Sequence, residues 1–343
     1  MAYPKPLSEK TISRMYADAK INDNKRKFLH TLFQASANLY GSIEIGELWA
    51  VYQTLVEEMP ITRVTKKEMI AFSGIVRRED VPYYIFEIDE VYCEEKRKDT
   101  ERFLVTKAMV DDGYGKFRPL WNLHEIQLDK EPYVPENLLD YARDEMTEGQ
   151  RKLLAFLGNL KVSATEYTDR VGRVYPCEHL GEFLKDFEYL DPYEQSEVRY
   201  LSGEFENGPK KNEKKLAAFL EKCKGAISDR IYKDYIWRIK SGWVDPKTAM
   251  EMLLEDIRET GVLMSEEEWK EFINSINCVQ NTTNLWCNMG WTPMDLTEKM
   301  FSEGNYPSTI SLGPGIAKAI SEGKIDRKEL FKMLEEKGFK VIE

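Results

Sequence analysis

KRKFLHTLFQASANLYGSIEIGELWAVYQTLV, residues 25–56, decides the fold. Phe28, Leu32, Phe33, Ala35 and Leu39 recur at the intervals that put side chains on one helix face, and Gly41 follows as a C-terminal stop. Ser42–Ile45 reads as a short extended step. Leu48, Val51, Tyr52 and Leu55 then mark the apolar stripe of a second helix. Further on, Thr65 and Glu68 have capping-box spacing and open a third helix over roughly 66–79, with Met69, Phe72 and Val76 inward. VPYYIFEIDEVYC (81–93) and RFLVTKAMV (102–110) are rich in β-formers and joined by a charged loop, so they predict a hairpin. Helix, short strand, helix, helix and hairpin is the order of a winged helix, which assigns residues 25–112 to a winged-helix-like module.

Outward from that module, residues 1–24 are polar and read as a loosely packed helical arm. After GYGKFRPLWNL (113–123) the pattern turns helical, and 113–280 reads as a helical body with helices of about 10–16 residues. Pro135 opens PENLLDYARDEM, which TEGQRKLLAFLGNL continues. Asp191-Pro192 and Asp245-Pro246 each pair an N-cap with a first-turn proline, and Ser265 with Glu268 forms another capping box. GEFENGPKKNEKK (203–215) reads as a loop. Residues 281–343 form a C-terminal helical block, in which Asn281, Asn284 and Asn288 would share one helix face ending at Gly290. Thr292-Pro293 with Asp295 restarts a helix, and Asp326 with Glu329 starts the last one. The expected fold class is mainly α with a small β hairpin: a winged-helix-like N-terminal module on a helical C-terminal body.

The N-x-T-x-x-W-x-N-x-G-x-T-P block at 281–293, together with LGPGIAKAISEGKID and ANLYGSIEIGELWAVY, resembles segments of uncharacterised proteins of Gram-positive bacteria and their mobile elements. Some of those append a cysteine-rich SEC-C zinc motif, which this chain lacks. The resemblance implies a bacterial or phage setting and transfers no activity.

Composition removes several function classes. No run approaches the roughly 18 apolar residues of a membrane helix, and the first twenty residues hold no apolar core of a secretory signal, so a cytoplasmic protein without membrane contact is expected. Five scattered cysteines without a CxxC pair argue against a disulfide framework or a four-cysteine zinc site, and no metal or cofactor is expected. The formal net charge of −11 repels phosphate backbones overall, so nucleic-acid binding would need a local basic patch.

Such a patch is available on paper. Lys66, Lys67, Arg77 and Arg78 fall on the expected exposed side of the third helix, and Lys96, Arg97, Lys98 and Arg102 on the wing. Residues 60–107 nevertheless hold ten basic and ten acidic side chains, which favours a protein partner, with nucleic acid as the alternative. Asn281, Asn284, Asn288, Trp286 and Trp291 form either a polar pocket with stacking indoles or a helix corner whose carboxamides tie down backbone. Cys177-Glu178-His179 is the one close Cys/His pair and lacks further ligands for a metal. No phosphate loop, dinucleotide fingerprint, HExxH or GxSxG occurs, and no catalytic residue is assigned. The expected function is non-enzymatic: a regulatory or adaptor protein acting by macromolecular binding. One alternative is an acidic mobile-element inhibitor that mimics nucleic acid through EMLLEDIRE (251–259) and SEEEWKEF (265–272). The other is an enzyme with a carboxylate site outside known motifs.

Overall fold

The computed structural model describes residues 3–58, 60–92, 95–110, 116–160, 166–168, 174–176, 191–201, 213–259, 264–304, 309–311, 320–321, 323–336 and 340–342. Helix α1 (Glu9–Asp18) starts where Ser8 accepts the Thr11 amide, and it buries Ile12 and Tyr16. The Leu7 amide donates to the Arg78 carbonyl at 2.8 Å. The N-terminal segment is therefore packed into the module instead of hanging off it as an arm. Two apolar side chains at i and i+4 suffice for that, although the surrounding sequence is polar.

Asn22 accepts from the Lys25 amide and opens α2 (Asp23–Tyr40), which Gly41 ends at φ +71°. Strand β1 (Ser42–Glu44), α3 (Ile45–Glu58) and α4 (Lys66–Val76) follow, and the expected Thr65–Glu68 capping box is present at α4. The apolar run after it splits in two. Strand β2 (Tyr83–Phe86) gives way to α5 (Ile88–Tyr92), whose first turn is closed by Glu90 accepting the Glu87 amide at 2.7 Å. Strand β3 (Phe103–Thr106) pairs antiparallel with both β1 and β2, giving the sheet order β1-β3-β2. The chain is thus mainly helical with a small three-stranded antiparallel sheet.

This sheet is buried on both faces. Leu104, Tyr83 and Ile85 point into one core with Leu32, Phe33, Leu48, Met69 and Phe72. Phe103, Val105 and Phe86 point the other way, into a second core built by the later helices. Alternation along a strand sends neighbours to opposite faces, so a strand apolar at consecutive positions needs cover on both.

That cover comes from α6 (Arg118–Gln127), α7 (Glu148–Asn159), α8 (Pro192–Leu201), α9 (Glu213–Ser241), α10 (Pro246–Glu259) and α11 (Glu266–Thr282). Two expectations need correction here. PENLLDYARDEM holds only a 3-10 turn, Leu138–Ala142, and α7 begins separately at its own capping box, Thr147 with Gln150. Helix α9 runs 29 residues, beyond the expected length, and takes in the last residues of the expected 203–215 loop. Its Ile227, Ile231, Tyr235 and Ile239 continue one stripe at four-residue spacing, so packing propagates the helix.

The chain divides into two compact units, Met1–Thr292 and Pro293–Glu343. Residues 281–291 consequently belong with the first. The second contains α12 (Pro293–Ser302), α13 (Arg327–Glu336), capped by Asp326, and the parallel pair β6 (Thr309–Ser311) and β7 (Lys340–Ile342). A further hairpin, β4 (Glu166–Thr168) with β5 (Val174–Pro176), precedes α8.

Candidate binding surfaces

The eight basic residues do not form one exposed face. Lys66, Lys67, Arg78, Lys96, Arg97 and Lys98 are exposed, whereas Arg77 and Arg102 are buried, at 9% and 8%. Both guanidiniums converge on Glu87: Arg77 Nη1 and Arg102 Nε each donate to its Oε1 at 2.8 Å. Arg77 Nη2 also reaches both Glu90 oxygens, at 2.6 and 2.7 Å. Arg102 adds Ser73 Oγ at 3.2 Å and Asp99 at 2.8 Å. These two arginines tie α4, the β2–α5 junction and β3 together; they belong to the fold, and their expected place on the contact face is corrected.

The same geometry changes the charge left outside. Glu68 is held by Lys25 at 2.6 Å, and Glu79 by Arg26 at 2.7 Å and by the Tyr16 hydroxyl. Four acids that alternate with the cations in sequence are therefore engaged internally. Arg63, Lys66, Lys67, Arg78 and Lys98 have no ion-pair partner among the described residues.

The Asn/Trp block is a turn. Helix α11 stops at Thr282, a 3-10 turn covers Trp286–Asn288, and Met289 and Gly290 follow at φ +51° and +86°. The three carboxamides thus do not line one helix face. Asn281 is exposed on α11, Asn284 donates to the Gly290 carbonyl at 2.7 Å, and Asn288 accepts from Lys130 at 3.1 Å. Trp286 is buried, donating its indole N–H to the Asn38 carbonyl at 2.8 Å. Trp291 donates to the Glu131 carbonyl at 3.1 Å, and its ring packs at a tilt against Tyr133, with centroids 4.6 Å apart. Glycine is required where these pieces meet, because a Cβ on Gly41 would lie 2.6 Å from Trp286 Cγ at a positive φ.

Beside Trp286 opens a crevice of about 510 Å³, with Trp237, Lys240 and Tyr232 of α9 among its walls. Asn284 and Trp286 do reach it, whereas Asn281, Asn288 and Trp291 do not line it.

His124 is enclosed between two hydroxyls: Ser42 Oγ lies 2.7 Å from Nε2 and the Tyr92 hydroxyl 2.5 Å from Nδ1. Burial pushes its imidazole down to about 4. Ser42 is only 1% exposed, so this array packs β1 against α5 and α6 instead of meeting a substrate.

No family model matches the chain, and no curated protein or solved structure does either.

The acidic helices are partly spent on structure. Asp256 is buried against Arg238, the Glu268 carboxylate accepts the Ser265 amide in the capping box of α11, and Glu266 pairs with Lys270 at 2.8 Å. Cys177 and His179, and Gly313-Pro-Gly315 of the LGPGIAKAISEGKID segment, lie outside the described residues. Among the described residues no cluster of three or more His, Cys, Asp or Glu side chains is placed to hold a metal, and no helix is long and apolar enough to cross a membrane.

Proposed function

We propose that this chain is a non-enzymatic regulatory or adaptor protein that grips a macromolecular partner through a winged-helix-like module. The order α2–β1–α3–α4–β2–α5–β3, with the short α5 inserted between the last two strands and β1 pairing the last strand, supports that description of the module. Winged helices present the third helix and the wing to their partner. Here α4 carries Lys66 and Lys67, Arg78 follows it, and Lys98 stands on the β2–β3 connection. The observation that carries the reading is the inward turn of Glu68, Glu79, Glu87 and Glu90, which leaves those cations unmatched outside.

The partner is an anionic surface, first a protein with an acidic face. Met69, Phe72, Ile75 and Val76 anchor α4 in the first core, against Tyr83, Ile85 and Leu104 of the sheet, and so hold its outer face in place for shape-selective contact. Nucleic acid is the second reading, favoured by the same unmatched cations. Capture of partners on the tagged full chain, with and without nuclease, tests both. A stoichiometric protein that survives nuclease supports the first, and nucleic acid with steep salt dependence the second. Capture of neither would remove the proposal.

A further inference from the structure

The crevice beside Trp286 is not needed for that contact face, yet it has the features of a small-molecule site. Its walls come from separate stretches: Asn38 at the end of α2, Ala108 beyond β3, the 141–147 connection, α9 and the turn after α11. At about 510 Å³ it lies inside the roughly 300–1,000 Å³ range of ligand pockets. Trp286 is pinned through the Asn38 carbonyl, and Trp237 through the Ala108 carbonyl at 2.9 Å with Trp243 beside it. Two indole walls are therefore fixed before anything binds, which lowers the ordering cost of stacking.

The polar group of interest is Lys240. Its Nζ lies 4.7 Å from the centroid of the Trp286 ring, and its one hydrogen bond is a long contact of 3.5 Å to the Asn38 carbonyl. No carboxylate comes within ion-pair distance of it among the described residues. An ammonium has three donors, so two remain to be matched in a partly desolvated wall. Desolvation pushes the amine below the usual lysine range, and the Asp144 charge opposes it from a distance. Gln150 cannot serve instead: its amide is committed to Thr283 and its oxygen to the Thr147 amide.

We propose that this crevice binds a small aromatic carboxylate, with the ring against Trp237 and Tyr232 and the carboxylate on the Lys240 ammonium. The carboxylate oxygens accept the two open donors and supply the missing counter-charge. Asp144 and Glu145 also line the crevice, so a second negative charge on the ligand is disfavoured and a monoanion fits best.

The test titrates the full chain with benzoate, 2-naphthoate and indole-3-acetate by calorimetry and tryptophan fluorescence, with benzamide and benzylamine as uncharged and cationic controls. At least one acid should bind saturably, with benzamide weaker by about ten-fold or more for loss of the charge-assisted bond. Lys240→Met should lose the preference for acid over amide. Ala108→Phe fills the crevice from an exposed position and should abolish binding while Lys240 stays intact, so the test stands even if Lys240→Met fails to fold. Absence of saturable binding by all three acids would overturn the proposal. So would equal affinity for benzamide or benzylamine, or unaltered binding in folded Ala108→Phe. None of these outcomes depends on the α4 contact face.

Discussion

Replacing Glu87 by alanine removes the acceptor shared by two buried guanidiniums. Each donates to Oε1 at 2.8 Å, and all three side chains are only 10–12% exposed. Breaking a buried pair by deleting one partner destabilises by roughly 3–5 kcal/mol, because the remaining charge is left desolvated. Here Arg77 keeps Glu90, and Arg102 keeps Asp99 and Ser73, so the loss should fall near the lower end, about 3 kcal/mol. Glu87→Gln keeps a neutral acceptor and exchanges two charge-assisted bonds for ordinary ones, which places it at about 1–2 kcal/mol. Urea unfolding of the full chain measures both. The Glu87→Met/Arg102→Met pair completes the logic: with both charges gone, its loss should be smaller than the sum of the two single losses. A Glu87→Ala change below about 1 kcal/mol, or strict additivity in the double variant, would refute the claim that these arginines hold the module together.

Three further outcomes follow from the packing. Gly41→Ala would place a Cβ 2.6 Å from Trp286 Cγ at φ +71°, so a loss of about 2–5 kcal/mol in urea unfolding is expected, and a loss under about 1 would contradict the close approach. Thr65→Ala removes the α4 capping box and should lower stability by about 1 kcal/mol, read from the same curves. His124 sits at about 4 in the folded chain, below its ordinary 6.5, so on acidification the unfolded chain takes up that proton first. Stability present at neutral pH therefore drains between about 6.5 and 4, by up to about 3 kcal/mol, and unfolding of His124→Gln should show a correspondingly flatter pH dependence. Identical slopes in the two proteins would contradict it.

The sequence discloses what is local. Caps at Thr65, Asp245, Ser265 and Asp326, the stop at Gly41 and the strand at 103–106 all appear where residue chemistry places them. What stays hidden is what distant partners decide. Arg77 and Arg102 look like surface cations until Glu87 and Glu90 arrive from the next strand and helix. Asn281, Asn284 and Asn288 have helical spacing, but Trp286 must reach Asn38 on α2, and the chain leaves the helix at Thr283 to do so. Of the expected polar pocket, Trp286 and Asn284 do border a crevice. Lys240 and Trp237, from the C-terminal end of α9, were not legible because one-dimensional periodicity does not show which face of a helix meets a void.

The most direct test of the contact face is Lys66→Glu with Lys67→Glu, comparing partner retention on the tagged chain with that of the wild type. Both side chains are exposed and without ion-pair partners among the described residues, so the fold should lose no more than about 0.5 kcal/mol. The variant should melt like the wild type and no longer retain the partner. A folded variant that retains the partner undiminished would contradict the assignment of α4 as the contact face.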